Sequence, residues 1–471
     1  MNIYISGISG TGMGPLALIA KGAGYTVYGS DLTKGAIYDE LISAGVDVHI
    51  GPQDGKYFQE RLSSIDWFVY TSALPDDHPE LMAARNAGIK CTKRDDFTAH
   101  LVDKLNLKMV AVAGTHGKTT TTAMIVWAAL QLELPVSYIV GSTLGFAPSG
   151  AYHEGDRYFI YEADEYDRNF LKYHPWLAVI PSISYDHPDI YPTREDYQAA
   201  FEQFMSQSEK VVTPPAQGVS SAHKLANSPD EGFFATTGAN DRELAHNDGP
   251  SDRCPSGTIR QLAISSAARP AQGFQVSDFK LPGDKRRIDA ALAAQAISEI
   301  AESEGTKVSP ETIINTLNQF PGVGRRFEKL QDGLYTDYAH HPEEIAATVE
   351  IAREEAELTG RKGVVVLYQP HQNVRQHEVH KAYKSAFIGA DKILWLPTYL
   401  VREDPSLPVL TPEQLISGLD NAELAEPVEL GEALAAQLRQ YLQDGYLVIL
   451  MTAGPADDWL RQHFTGQAAT I

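Results

Sequence analysis

Two cysteines, Cys91 and Cys254, are all the chain carries, and they stand far apart. They offer no metal-type spacing, and such sparse use fits a reducing, cytoplasmic setting. Positive charge is scarce too. Lys and Arg total 39 against 61 Asp and Glu, a net charge of −22, which disfavours a nucleic-acid partner. No run of eighteen apolar residues occurs, so no membrane insertion is expected. The start, MNIYISG, lacks the basic segment and the long apolar core of a secretory signal. What is present is apolar content enough for large cores: 43% of 471 residues, a length that suggests about three domains.

The strongest single feature is Ala113 to Thr121, AGTHGKTTT. Met109 to Ala113 is an apolar run that reads as a buried parallel strand, and Thr119 to Leu132 reads as a helix. Strand, glycine turn, Lys-Thr and helix together have the layout of a phosphate-binding loop. Gly114 and Gly117 let backbone N–H groups approach phosphate oxygens with no Cβ in the way. The new helix points its positive end at the anion. Thr115, His116 and Thr120 complete the cradle, Lys118 reaches the outer phosphates, and the Thr119 hydroxyl is placed to ligate Mg²⁺. A glycine turn that only caps a helix would not need Gly-Lys-Thr-Thr after a strand. Val112 stands where the standard spacing has its first glycine, so the loop is a shortened variant.

Residues 1–104 read as a small Rossmann-like α/β domain. Asn2 to Ser6 is a strand; a glycine turn containing Gly10, Thr11, Gly12 and Met13 follows, then an apolar helix. The next strand, Tyr25 to Tyr28, runs into Ser30 and Asp31. A glycine turn before a helix is a diphosphate site, and Asp31 lies where a ribose contact forms. A nicotinamide oxidoreductase is the competing reading of this segment. It leaves the second, separate phosphate loop unexplained.

Residues 105–322 form the second segment, a P-loop ATPase-type α/β domain. The strand Tyr158 to Tyr161 ends in Glu162, Asp164, Glu165 and Asp167. Carboxylates just beyond a strand that follows a phosphate loop are placed to hold Mg²⁺; an acidic solvated turn is the plainer alternative. The strand Trp176 to Ile183 leads to His187, which is as open to a structural role as to a metal-ligating one. From Pro214 to Gly273 Ser, Gly, Ala, Asn and Asp dominate, which predicts long loops with short strands at Gly232 to Thr236 and Thr258 to Ile264. Helices are expected over Lys285 to Ile300 and Glu311 to Phe320, the latter capped by Ser309 with Pro310 in its first position.

Residues 323–471 repeat the α/β alternation in a Rossmann-like third domain. Strands are expected at Gly363 to Tyr368, Lys392 to Leu396 and Tyr446 to Met451, with helices at Pro342 to Leu358 and Glu378 to Phe387. Polar clusters sit at strand ends: Asp337 with His340 and His341, and His371 with Gln372 and Arg375. Open parallel sheets bind ligands there. His371 with Arg375 suits a substrate anion, whereas a core histidine is the plainer reading of His341.

Read in order, GISGTGM, YGSD, TSALPDDHPE, GTHGKTTTT, YEADEYD, DHPDIY, FPGVGRRFEKL, DYAHHPEEI and YQPHQNVR cover nearly the whole chain. In that order they resemble the Mur ligases, the ATP-dependent amide-forming enzymes of peptidoglycan synthesis. The resemblance implies ATP and Mg²⁺, and a carboxylate activated as an acyl phosphate before an amine attacks it. The N-terminal domain, through Gly10 to Met13, Ser30, Asp31, Ser72 and Ala73, would hold the diphosphate of a UDP-sugar. By the same resemblance Lys118 and Thr119 serve the phosphates, Glu162 and His187 match metal ligands, and Asp337 meets the ATP ribose. His340, His371 and Arg375 neighbour the incoming amine. The members with the nearest pattern join L-alanine, or a similarly small amino acid, to UDP-N-acetylmuramate; others join a tripeptide. A nucleotide-gated UDP-sugar-binding protein without ligase activity is the reading outside the enzyme class. A monomer or weak dimer in the cytoplasm is the accompanying expectation. This chain departs from the family pattern in three places. Lys285-Arg286-Arg287-Ile288-Asp289 replaces His-Asn-x-x-Asn, and Ser182 and Gln372 replace an asparagine and an arginine. Tyr166 in EADEYD is the tripeptide form, while GRRF and QPH lean toward the alanine form.

Overall fold

The computed structural model describes residues 1–35, 37–71, 74–187, 190–214, 268–270, 273–401 and 403–466. Three sheets follow one another along the chain. The first has the order Asp47–Ile50, Thr26–Asp31, Asn2–Ser6, Trp67–Tyr70, Lys90–Lys93, all parallel. The second runs Ala268–Pro270, Lys210–Thr213, Leu177–Val179, Lys108–Val112, Tyr158–Glu162, Val136–Ile139, Gly150–Ala151, parallel except for its last pair. The third runs Glu328–Gln331, Leu334–Asp337, Leu447–Thr452, Val364–Gln369, Lys392–Trp395, Ala425–Pro427, with only the first pair antiparallel. This is the expected α/β architecture. Near-continuous apolar strands such as Val364–Gln369 and Leu447–Thr452 are buried along their whole length, because helices cover both faces of a parallel sheet.

Cores define what moves together. One apolar cluster runs from Ile3, Leu16 and Trp67 of the first sheet's layer into Met109, Phe159 and Phe201 of the second. Tyr161 and Tyr173 of the second unit both donate to Asp95 of the first at 3.0 Å, in a buried joint. The third sheet instead keeps its own core on its two faces, around Val364, Tyr368 and Trp395 and around Leu367, Leu438 and Leu450.

Several expected elements are displaced. Strand pairing stops at Val179, before Pro181, because proline has no N–H for the ladder. The chain then crosses to the phosphate loop, where the N–H of Thr115 donates to the carbonyl of Ser182 at 3.1 Å. The helix expected over 378–387 begins earlier, at Asn373–Val379, and continues as a 3₁₀ segment, His380–Ser385. His380 Nδ1 lies 3.1 Å from the carbonyls of Gln376 and His377, acceptors that a continuous α-helix would use. Helix Pro310–Leu317 starts as expected, with the Ser309 hydroxyl accepting from the N–H of Thr312. The strands expected at 232–236 and 258–264 lie outside the described residues. No described helix is long and apolar enough to cross a membrane.

Sequence reading did not single out Glu80, in the first turn of helix Pro79–Asn86, whose carboxylate reaches strands of the first sheet. It is 1% exposed and accepts from Tyr4 at 2.6 Å and from Ser6 and Ser30 at 2.8 Å. Removing the carboxylate strands three buried hydroxyls. Glu80→Ala should therefore destabilise the protein by about 3 kcal/mol, read as a lower midpoint in urea unfolding; an unchanged midpoint would show the network to be dispensable.

Candidate functional site

The phosphate loop is held open from beneath by backbone. Gly114 takes a φ of +157°, and a Cβ there would stand 2.6 Å from the Ser182 carbonyl oxygen. Gly117, at φ +84°, opens helix Lys118–Gln131; a Cβ would meet Asp289 Oδ1 at 2.7 Å. Only glycine fits either place. Ser182 accepts from the N–H of His116 at 2.9 Å, so the serine in the asparagine position ties the loop to the neighbouring strand. The Thr115 hydroxyl is engaged within the protein: it meets the Ser184 carbonyl at 2.7 Å and Tyr197 at 2.8 Å. Lys118 Nζ donates to the carbonyl of Gly114 at 2.6 Å and lies 3.0 and 2.9 Å from the two oxygens of Glu165. Burial disfavours the ammonium, but Glu165 and Asp164 more than offset this and keep its pKa above the usual value.

Thr119 and Glu162 come together, the hydroxyl donating to Oε1 at 2.9 Å. Glu162 Oε2 is buried and has no hydrogen-bond partner among the described residues. A hydroxyl and an unsatisfied carboxylate oxygen at the mouth of a phosphate loop fit a hard cation such as Mg²⁺. His187 lines the same cleft, against neighbouring acids. Its Nε2 lies 3.6 Å from Glu165 and 3.7 Å from Asp186. Burial pushes its pKa down, but the two acids outweigh burial and raise it. Among the described residues no group of three His, Cys, Asp or Glu side chains is clustered tightly enough to hold a metal alone.

The third unit closes one side of the cleft, whose volume is about 470 Å³. Asp337 ends its strand there and accepts from the N–H groups of Phe327 at 2.6 Å and Ala339 at 2.7 Å. Burial raises its pKa against the pull of Arg326 and those amides. His340 and Arg375 line the same cleft; His371 stands behind, its ring 6.1 Å from that of His340. Glu343 and Glu344, on helix Pro342–Leu358, reach across to His116 at 3.3 and 3.4 Å. The stretch that departs from the family pattern also faces in: Lys285, Arg286, Ile288 and Asp289 all line the cleft. Burial lifts Asp289 to about 7, against the Thr121 hydroxyl and the nearby cations.

The glycine turn of the first unit lies elsewhere. Gly10, Thr11 and Gly12 precede helix Met13–Gly22, whose first turn carries no acid and no side-chain cap. Asp31 is occupied in shaping this turn, accepting from the N–H of Ser9 at 2.9 Å. The Ser30 hydroxyl is committed to Glu80. Ser72 and Ala73 lie outside the described residues. Sequence reading missed Glu343 and Glu344; two glutamates after His-His-Pro were legible as a helix start, but not as partners for a loop more than two hundred residues earlier.

Comparison with known proteins matches residues 2–105 to "Mur ligase family, catalytic domain", 112–243 to "Mur ligase middle domain" and 325–454 to "Mur ligase, glutamate ligase domain". The UDP-N-acetylmuramate–L-alanine ligase of Paenarthrobacter aurescens is 32% identical over 465 residues, covering 96% of this chain and 94% of that protein. Among solved structures, the UDP-N-acetylmuramate–alanine ligase of Thermotoga maritima superimposes with a TM-score of 0.69 at 20% identity, over 99% of this chain and 100% of the other. A murein peptide ligase from Psychrobacter arcticus superimposes with a TM-score of 0.57 at 21% identity, over 99% and 98%.

The contact between His116 and the third unit carries a pH signature. Burial disfavours the imidazolium, but Glu343 and Glu344 outweigh it and raise the pKa to about 9. Folded His116 thus holds its proton more tightly than unfolded histidine. Its stabilisation, on the order of 3 kcal/mol, is complete below about pH 6.5 and is lost as pH rises through about 9. Thermal unfolding of the wild type should weaken across that window, and His116→Gln should flatten the dependence; parallel curves for the two proteins would remove His116 as the cause.

Proposed function

The chain belongs to the Mur ligase family, and we propose that it joins L-alanine, or a similarly small L-amino acid, to UDP-N-acetylmuramate in an ATP-dependent ligation of peptidoglycan synthesis. Charge is the observation that carries this reading. In a chain of net charge −22, one cleft collects Lys118, Lys285, Arg286, Arg326 and Arg375. Among the described residues only Lys118 has an ion-pair partner within 4.0 Å. Carboxylates line the same cleft, Glu162, Glu165, Asp289 and Asp337 among them, yet four of the five cations are not spent on them; cations left over beside a glycine loop suit a polyanion such as a nucleoside triphosphate.

The chemistry follows from that placement. The sugar's carboxylate attacks the γ-phosphorus, ADP leaves, and an acyl phosphate remains; the amine then attacks the acyl carbon and phosphate departs. In our reading residues 1–104 hold the UDP-sugar, 105–322 the ATP, and 323–471 the amine and the ribose. The amides at the start of helix Lys118–Gln131 cradle the phosphates, those of Thr115 and His116 being spent on Ser182. Lys118 gives up the Gly114 carbonyl for a phosphate oxygen and neutralises charge as the carboxylate approaches. Mg²⁺, held by Thr119 and Glu162, would supply further charge neutralisation when bound. Arg375 pairs with the amino acid's carboxylate through parallel hydrogen bonds, a larger share of that task because Gln372 stands in an arginine's place. No enzyme nucleophile takes part. We propose that the reaction takes place in the cytoplasm, where ATP is available.

One observation favours a longer amine. Beyond Ser184, His341 and Glu343 the cleft continues into a second cavity of about 610 Å³, lined by Tyr185, Tyr197 and Lys381 among others. A tripeptide would fit along it.

Phosphate release with ATP, UDP-N-acetylmuramate and a panel of amines tests these readings. L-Alanine should be used first, then L-serine and glycine, ahead of a tripeptide; ligation of the tripeptide alone would replace the first reading with the second. Lys118→Ala should abolish release, and turnover like the wild type would remove the loop as the catalytic phosphate site.

Arg375→Ala should raise the KM for the amino acid by about tenfold or more, the loss of a charge-assisted pair, while moving the KM for ATP little. Equal changes in the two constants would place Arg375 on the nucleotide instead.

A further inference from the structure

Arg94 opens helix Arg94–Lys104, yet its side chain reaches back to the glycine turn of the first sheet. Nε and Nη2 both lie 3.2 Å from Oδ1 of Asp95. Asp95 is 4% exposed and is itself fixed by Tyr161 and Tyr173 of the second unit. One edge of the guanidinium is thereby anchored. The other edge, Nη1, lies against Gly12: a Cβ on Gly12 would stand 2.5 Å from it. Among the described residues Nη1 has no hydrogen-bond acceptor of its own. Gly12 needs no left-handed backbone, since its φ and ψ are −97° and −30°. Glycine at this position is explained by the arginine, not by the turn. The guanidinium also faces Asp164 in the acidic run beside Lys118; Tyr161, Asp95 and Asp164 raise its pKa against burial. Arg94 therefore stands between the glycine turn of the first unit and the phosphate loop of the second.

We propose that Arg94 reads the diphosphate of the UDP-sugar, holding that substrate on the side of the glycine turn that faces the phosphate loop, a role that rests on the ligase reading above. The anchored edge fixes the plane of the guanidinium. The open edge presents two N–H donors to a phosphate oxygen, alongside the N–H groups at the start of helix Met13–Gly22. A donor substrate lacking the diphosphate forfeits this contact. The glycine turn and the buried Asp95 joint then act as one device: the joint between the two units sets where the sugar's carboxylate lies relative to the γ-phosphate.

Titration calorimetry of the full chain with UDP, and separately with a non-hydrolysable ATP analogue, tests the assignment. Arg94→Ala should weaken UDP by about tenfold to a hundredfold, the worth of hydrogen bonds to a charged group, and leave the ATP analogue unchanged. Arg94→Lys should recover part of the loss. Because Arg94→Ala also strips Asp95 of its partner and can loosen the joint, Gly12→Ala is the second arm. Alanine suits the helical backbone of Gly12 and keeps both members of the Arg94–Asp95 pair, but its methyl pushes the guanidinium away from the turn. It should weaken UDP by a similar factor, and the double variant Gly12→Ala/Arg94→Ala should bind no worse than Arg94→Ala alone. UDP affinity unchanged in Arg94→Ala, or losses that multiply in the double variant, overturns the proposal while leaving the ligase reading intact. A wild-type chain that binds the ATP analogue but not UDP overturns both.

Discussion

The buried pair of Lys118 and Glu165 is the constraint on which the rest of the site depends. A lysine 17% exposed and a glutamate 1% exposed are each other's nearest counter-charge. The Glu165 backbone carbonyl also accepts from Tyr191 at 2.6 Å, and its carboxylate attracts His187. The Lys118 ammonium also caps the Gly114 carbonyl, which closes the loop on itself. Loop, acidic run and the segment around His187 thus share one electrostatic knot. In the proposed reaction an incoming phosphate competes with the Gly114 carbonyl for Lys118.

Around this knot the three units are joined in two different ways. The first and second share an apolar core and the Asp95 joint, so the glycine turn and the phosphate loop have a fixed relation. The third keeps its own core and meets the loop largely through charge, with Glu343 and Glu344 on His116. Apolar contact is indifferent to protonation and to anions, whereas an ion pair responds to both. The third unit supplies the amine side of the proposed reaction, and its attachment is the one that a bound polyanion can remodel.

The departures from the family pattern acquire local explanations here. Ser182 takes over the hydrogen bond that holds the His116 amide. Asp289 packs against Gly117, under the loop, where burial raises its pKa to about 7 and so lowers the charge it presents to a phosphate. Lys285 and Arg286 add positive charge to a wall of the same cleft.

Much of this was legible in one dimension. Apolar runs of strand length between helix-length segments dictate parallel α/β layers, since only a sheet covered on both faces buries such runs. Gly-Lys-Thr-Thr after a strand marks the phosphate loop because the chemistry of that turn is local, within a few bonds. Ser309-Pro310 and His341-Pro342 announced helix starts for the same reason. What sequence could not reveal depends on partners distant along the chain. Glu80 reads as one acid in a helix until Tyr4, Ser6 and Ser30 converge on it. His187 reads as one histidine at a strand end until Glu165 is found beside it. Gly12 reads as turn chemistry, yet its backbone is helical, and it is the guanidinium of Arg94, eighty-two residues later in the numbering, that a side chain there would have to displace. Hydrophobic periodicity and turn preference are short-range, so the sequence alone determined the elements and the loop. Charge pairing and steric exclusion act through space, so only the packing of the three units decided which groups are spent on each other and which are left facing a substrate.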